Sequence, residues 1–181
     1  MTRLTLFLTA SCLSLLLACS PTFNWRDARP ADTALAALMP CKPDQATRSV
    51  PLGGQTTELA MLGCDAGGAT FAVAVATVAD PSQIAAVMAG WQAATLANMK
   101  GTGSAPAAAL KIPGAAQQPP PVLVALTGQR ADGRAVQSRA AHFAHGRQVF
   151  QAVIYADKIA PEVSETFFSS LRFEAEPAPG R

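Results

Sequence analysis

Two histidines and a scatter of hydroxyl and carboxyl side chains are the groups that could do acid–base or metal chemistry in this 181-residue chain. His142 and His145 flank a predicted turn between two strands and lie three residues apart. Because side chains alternate across a strand, this spacing predicts opposite faces, and a shared metal would require the turn to fold back. We therefore predict partly exposed turn histidines, with a zinc-binding pair as the alternative.

Motifs of the common catalytic sites do not occur in the sequence. There is no Gly-x-Ser-x-Gly elbow, and no Gly-x-Gly-x-x-Gly or Gly-Lys-Ser/Thr loop follows a predicted strand. The stretch Gly101-Thr102-Gly103 follows a predicted helix, which is the wrong context for a phosphate loop. The sequence thus predicts no catalytic residues, no cofactor and no metal site, and it favours a protein that is not an enzyme.

The first eighteen residues have the layout of an export signal. Arg3 supplies a positive charge, and the run from Leu4 to Leu17 carries none. About twenty apolar residues are needed to cross the hydrocarbon core of a bilayer, so this run is too short to stay as a membrane span. We predict that residues 1–18 are a signal peptide that is removed.

The end of that segment, Leu16-Leu17-Ala18-Cys19, resembles the lipobox of bacterial lipoproteins. The resemblance implies that Cys19 is acylated with palmitate-type chains and becomes the first mature residue, although a chance cysteine is the alternative. Each buried methylene contributes about 0.8 kcal/mol, so several acyl chains give a lasting membrane anchor. Ser20, where an aspartate would resemble an inner-membrane retention signal, favours the periplasmic face of the outer membrane.

Cys41 and Cys64 are the thiols that remain once Cys12 leaves with the signal and Cys19 is acylated. In the oxidising compartment that export implies, we predict a disulfide between them. Closing a loop of this length stabilises a fold by roughly 3 kcal/mol in the chain-entropy model. A metal pair or a reactive thiol is the alternative, but neither cysteine has another Cys or a His at ligand spacing.

Residues 19–29 are predicted to be a lipidated tether between the membrane and the folded body. Trp25 and the adjacent Arg26 are candidate contacts for an envelope protein partner, since Trp and Arg are enriched in binding hot spots. Trp25 could equally dock on the domain or meet the membrane interface, and the sequence does not choose between these alternatives.

The composition predicts one lightly charged domain over residues 30–173, followed by a Pro-rich tail over 174–181. Half of the residues are hydrophobic, but only 6% are aromatic and 14% are charged. The core should therefore consist of Ala, Val and Leu with a few Phe. Once Arg3 is removed, 13 basic and 12 acidic side chains remain. This nearly balanced net charge disfavours a nucleic-acid partner.

The first half of the domain is predicted to be a helix followed by three strands. Pro30 suits a first helical turn, Leu35 and Met39 share a helical face, and Pro40 stops the segment. Alternating segments between glycine-containing turns then predict antiparallel strands over 46–52, 56–64 and 70–78. The last of these is apolar on both faces and should lie in the centre of a sheet.

The second half begins with the clearest helix of the chain. Asp80 caps it, Pro81 takes the first position, Gln83 can reach back to the cap, and the helix ends after Lys100. An irregular excursion over 101–121, with a short strand near Leu110, precedes three strands and a final helix over 122–130, 134–144, 148–155 and 160–170. The predicted fold class is α/β of the α+β kind: an antiparallel sheet of about six strands packed with two to three helices.

This order of elements resembles the Mog1/PsbP-like α/β sandwich of many secreted bacterial proteins. Two segments match its motifs, Pro40-Cys41-Lys42-Pro43 near the start and Phe167-Phe168-Ser169-Ser170-Leu171-Arg172-Phe173 at the end, so the resemblance spans roughly residues 40–173. It implies no shared active site, and members are mostly adaptor or assembly factors. Asn24-Trp25-Arg26 also resembles the start of small uncharacterised proteobacterial lipoproteins, which implies no function.

Two functions from different classes are compatible with these features. The first is a non-enzymatic interaction or assembly protein held at the outer membrane. The second is a carrier or sensor of a small apolar ligand that lies between sheet and helix beneath the Pro-rich excursion.

Overall fold

The computed structural model describes residues 22–52, 54–101, 104–106 and 109–174, with the backbone alone over 104–106. The predicted signal peptide, Cys19, Ser20 and the tail beyond Glu174 lie outside the described residues. The first half contains β1 (Arg26–Ala28), β2 (Leu35–Met39), β3 (Asp44–Leu52), β4 (Gln55–Ala66), β5 (Ala69–Thr77), a 3-10 turn (Pro81–Gln83) and α1 (Ile84–Asn98). The second half contains β6 (Ser104–Pro106), β7 (Val122–Gln129), β8 (Ala135–His145), β9 (Gln148–Ala156), α2 (Pro161–Ser169) and β10 (Arg172–Phe173).

A seven-stranded antiparallel sheet forms the centre of the domain, in the order β3-β4-β5-β9-β8-β7-β6. Short turns join its hairpins, and glycines with positive φ, such as Gly68 (74°) and Gly133 (83°), fit the turns because they carry no Cβ. The predicted fold class is confirmed, with one more strand than expected and with a second, three-stranded sheet of order β1-β2-β10.

The two faces of the large sheet are covered by different elements. Phe71, Val73 and Val75 of β5 lie in one core cluster with α2 and β2. Ala74 and Ala76, which alternate with them, lie in a second cluster with α1. As predicted, β5 lies inside the sheet and is buried on both faces, because α2 and β2 pack on one face and α1 packs on the other.

Local sequence explains where α1 begins. The Asp80 side chain accepts a hydrogen bond from the Ser82 amide, and Pro81 occupies the first position of the 3-10 turn that leads into the helix. Gln83 does not reach back to the cap as predicted; its Nε2 lies 3.5 Å from Ser82 Oγ instead. Val87, Met88, Trp91 and Thr95 form the buried face of the helix.

The prediction of a helix over residues 30–39 is wrong. Asp32 adopts a positive φ of 57° within a turn, and the chain then enters β2, which pairs with β1 on one edge and β10 on the other. Leu35, Ala36, Ala37 and Met39 are completely buried. A segment that is apolar at every position suits a strand that is buried between two neighbouring strands. The pairing of β2 with β1 and β10 therefore outweighs the helical spacing of Leu35 and Met39.

The predicted tether is shorter than expected, since the fold already includes residues 22–29. The Asn24 amide donates to the Pro40 carbonyl at 2.7 Å, and β1 pairs with β2.

The excursion after α1 is irregular, but it is fastened to the sheet. Its short strand lies at Ser104–Pro106 and pairs with β7, rather than near Leu110 as predicted. Ile112 is buried, and the Ala116 amide donates to the Ala144 carbonyl at 2.8 Å. Residues 109–121 thus pack against the large sheet.

Candidate functional site

Trp25 and Phe23, close to the predicted lipid attachment, pack onto the large sheet. Their rings stack with centroids 5.8 Å apart, and both contact Phe71 edge-on, at 6.1 Å for Trp25 and 6.4 Å for Phe23. Of the roles that the sequence left open for Trp25, docking on the domain is the one that these contacts favour. A partner contact by Trp25 and Arg26 stays a prediction; the Arg26 Nε donates to the Asn24 carbonyl at 3.3 Å.

Gly67 allows Phe23 to approach the turn between β4 and β5. A Cβ at Gly67 would lie 2.5 Å from Phe23 Cζ, and its φ of 58° also favours glycine. There is no room for a side chain between Gly67 and the Phe23 ring. The position of the N-terminal segment on the domain therefore depends on a glycine at this turn.

An exposed ionic cluster ties the beginning of the fold to its end. Arg172 of β10 donates to Asp27 at 2.9 Å and to Glu174 at 3.3 Å, and Arg29 also pairs with Glu174. The hydrogen bond from Arg29 lowers the pKa of Glu174 below its usual value. Since these side chains are solvent-exposed, the pairs mainly orient the two termini and contribute little stability.

The predicted disulfide between Cys41 and Cys64 is present, with Cα atoms 6.1 Å apart. It links the connection between β2 and β3 to the C-terminal end of β4, across 23 residues of sequence. Cys64 lies opposite Phe71 in the β4–β5 register, so the bond fastens the N-terminal elements beside the aromatic cluster.

The two histidines lie on opposite faces, as predicted, but only one is partly exposed. The His145 ring stacks on Phe173 at 4.2 Å, and its Nδ1 is 2.8 Å from the Gly114 carbonyl. His142 is 1% exposed, so the prediction that it is a partly exposed turn residue is wrong. It lies beneath α1 because its register position in β8 places it on the face that this helix covers.

A buried polar network surrounds His142. The amide nitrogen of Gln151 donates to His142 Nε2 at 2.9 Å and to Thr95 Oγ1 at 2.8 Å. Since an amide nitrogen can only donate, the imidazole proton belongs on Nδ1, which has no hydrogen-bond partner among the described residues. Burial lowers the pKa of His142 to about 4 and keeps the ring neutral.

Two open clefts lie at the edges of the domain. A cleft of about 430 Å³ is lined by residues of β7 and β8 with Ile159. Its charged side chain is Arg139, whose Nη1 donates to Ser164 Oγ at 2.9 Å. A second cleft, of about 300 Å³, lies where the β3–β4 hairpin meets the start of α1 and is lined partly by Thr56, Thr57 and Glu58.

The outer edge of β3 is a feature that the sequence analysis missed. β3 is the terminal strand of the large sheet, and its first six residues, Asp44 to Ser49, are exposed. No strand of the described residues pairs with this edge, so every second backbone N–H and C=O along it faces solvent. Pro51 was the available sequence signal, because proline within a sheet is confined to edge strands and bulges.

The described residues hold neither a cluster of metal ligands nor a membrane-spanning helix. Over these residues, no three His, Cys, Asp or Glu side chains converge as metal ligands. Nor does any helix there have the length and apolar character to cross a bilayer.

No protein-family model and no curated protein matches this chain. Among solved structures, the chain is similar to a Pseudomonas aeruginosa protein of unknown function that is considered a candidate regulator. The two share 18% sequence identity over 74% of this chain and 83% of that one, with a TM-score of 0.34. A similarity of this size identifies neither a family nor a function for the present chain.

Proposed function

We propose that this protein is a lipid-anchored lipoprotein of the bacterial envelope that acts by docking a partner strand and not by catalysis. The observation that carries the proposal is the open edge of β3, where six consecutive exposed residues offer unpaired backbone groups. Natural sheets usually blunt such edges with proline, lysine or a covering segment. Here Pro51 stands near one end of the strand, and the stretch before it is left open.

Strand addition is an established mode of protein recognition. Main-chain hydrogen bonds to an open edge supply affinity, and alternate side chains supply specificity. The resemblance to the Mog1/PsbP-like sandwich supports the same class of function, since that resemblance implies adaptor or assembly roles.

The position of the N-terminal segment supports a protein that works close to the membrane. Two residues, Ser20 and Pro21, lie between Cys19 and Thr22, so the Cα atoms of Cys19 and Thr22 are at most about 10 Å apart when this stretch is extended. With Cys19 acylated, the packing of Phe23 and Trp25 on Phe71 would hold the domain against the bilayer surface in a restricted orientation. We place it at the periplasmic face of the outer membrane, from the serine at position 20.

The alternative, a carrier of an apolar ligand between the sheet and α1, is not favoured by the packing there. Val87, Met88 and Trp91 of the helix lie in one cluster with Ala144 and Val149 of the sheet. These side chains fill the space in which such a ligand would bind.

Lipid attachment is tested by labelling cells with palmitate. The wild-type chain should incorporate the label and sediment with membranes, whereas Cys19→Ala should do neither. A wild-type chain that stays unlabelled would contradict the anchor.

Docking at β3 is tested by a photo-crosslinking residue at Ser49, with the same residue at Thr127 of the paired strand β7 as the control. We expect protein crosslinks from position 49 and few from position 127. Thr47→Pro should abolish the crosslinks, because the Thr47 N–H points away from β4, as the Pro51 nitrogen does, and would donate to the docked strand. The pairing of β3 with β4 does not use this N–H and is therefore kept. Equal yields from positions 49 and 127 would contradict docking at this edge.

A further inference from the structure

We propose that the strand docked at β3 is β3 of a second copy of this chain, antiparallel and centred on Ala46. This inference rests on the proposed function, because it names the partner of the same edge. It makes the protein a two-fold dimer whose large sheets join into one continuous sheet. Isologous pairing of this kind is the commonest form of homo-oligomer symmetry.

Charge complementarity within β3 identifies the partner. Asp44 and Arg48 lie opposite Gly63 and Leu59 in the β3–β4 register and therefore project from the same face of the sheet. Both are exposed, and neither forms an ion pair with another described residue. In an antiparallel pair centred on Ala46, Asp44 of each copy lies directly opposite Arg48 of the other. Each copy of the strand thus supplies one carboxylate and one guanidinium group, and the two copies form two equivalent ion pairs.

The backbone pattern agrees with this centre. Pro51 has no N–H, so its nitrogen faces away from β4, and alternation then directs Gln45, Thr47 and Ser49 toward the open edge. With Ala46 on the two-fold axis, Gln45 of each copy faces Thr47 of the other, and these two residues can exchange both main-chain hydrogen bonds. The Asp44–Arg48 positions then form non-hydrogen-bonded pairs, in which side chains approach most closely.

Other centres on this strand are less favourable. A pair centred on Arg48 would place two guanidinium groups directly opposite each other, and a centre on Asp44 would do the same with two carboxylates. A centre on Thr47 would place Asp44 opposite Val50. The centre on Ala46 places the smallest side chain of the segment on the axis, where two methyl groups meet.

A cysteine placed on the axis tests the register. In Ala46→Cys the two new Cβ atoms would lie about 5 Å apart across a non-hydrogen-bonded pair, within reach of a disulfide after relaxation. Mild oxidation of the purified mature lipoprotein, in which the added cysteine is the free thiol expected once Cys12 is removed and Cys19 is acylated, should therefore yield a covalent dimer on non-reducing electrophoresis. Thr47→Cys is the matched control, since residue 47 lies opposite residue 45 and not opposite itself. Equal dimer yields from both variants, or none from Ala46→Cys, would overturn the inference.

Charge reversal tests the partner identity without depending on the new cysteine. Asp44→Arg or Arg48→Asp turns two attractive cross-strand pairs into two repulsive ones, which should weaken dimerisation about tenfold in analytical ultracentrifugation. The double variant Asp44→Arg/Arg48→Asp should restore it. All three changes are on exposed positions, and circular dichroism should show an unchanged fold. A double variant that dimerises no better than the single variants would overturn the inference.

The photo-crosslinks from Ser49 separate failure of this inference from failure of the proposed function. Crosslinks to a different protein, without a homodimer, would overturn the second copy as partner and leave docking at β3 intact. No crosslinks of either kind would overturn both.

Discussion

Trp25 lies edge-on against Phe71, with ring centroids 6.1 Å apart and ring planes at 84°. This contact joins a segment near the predicted lipid attachment to a strand inside the large sheet, and Phe71 in turn contacts Phe167 of α2 at 5.5 Å. The N-terminal segment is thus part of the aromatic core, and removal of its contacts should lower the free energy of unfolding of the whole domain.

Replacing Trp25 should measure that contribution. Because the ring is only partly buried, Trp25→Ala should lower the free energy of unfolding by about 2 kcal/mol, less than for a fully buried aromatic. Urea denaturation followed by circular dichroism gives the value. Asn24→Ala, at an exposed neighbour, should change it by under about 0.5 kcal/mol. An equal effect of both substitutions would show that Trp25 is not docked.

Gly67 should resist substitution because of Phe23. Gly67→Ala combines an unfavourable positive φ with a clash against the Phe23 ring and should cost about 2 to 3 kcal/mol. Gly68→Ala is the matched control, since its φ of 74° is also positive but its Cβ would meet no atom within 4 Å. We expect a cost near 1 kcal/mol there. Thermal unfolding of both variants gives the difference, and a Gly67 effect no larger than that of Gly68 would contradict the packing of Phe23.

Removal of the disulfide should destabilise the oxidised protein. The paired substitution Cys41→Ala/Cys64→Ala should lower the free energy of unfolding by roughly 3 kcal/mol, because it frees a loop closed across 23 residues in the unfolded chain. Denaturation of the wild type with and without a reductant should reproduce the difference. If the reductant changes the double variant as strongly as the wild type, the effect does not come from this bond.

Acidic pH should destabilise the fold through His142. Its folded pKa of about 4 lies below the ordinary 6.5, so the unfolded chain takes up the proton first as the pH falls. The contribution is complete above pH 6.5 and is lost progressively toward pH 4, by about 2 kcal/mol at pH 5. The groups that surround the ring, Trp91, Thr95 and Gln151, carry no charge that would offset the loss.

Urea denaturation at pH 7.5 and pH 5 measures this effect, and His142→Asn provides the comparison. The variant lacks the titrating ring, so its unfolding free energy should change much less between the two pH values. A variant with the full wild-type pH dependence would assign the effect to other groups.

Local pattern was sufficient for most of the large sheet and for α1. The run over residues 70–78 is apolar on both faces and follows a glycine turn, which predicted a central strand because a strand covered on both faces is apolar at nearly every position. Asp80 and Pro81 located the start of α1 because capping depends on residues next to each other in the chain. The two cysteines that remain if the chain is exported as predicted were likewise sufficient to predict the disulfide.

The remaining features depended on partners that are distant in sequence. Leu35 to Met39 became a strand because β1 and β10 pair with it, and His142 became buried because its face of β8 receives α1. The open edge of β3 exists because the seven-stranded sheet ends there. Sequence alone determined the strands β3 to β5 and β7 to β9 and the two helices, since their patterns and caps rest on neighbouring residues. Only the tertiary structure decided which strand ends the sheet and which side chains are covered, since both depend on long-range pairing.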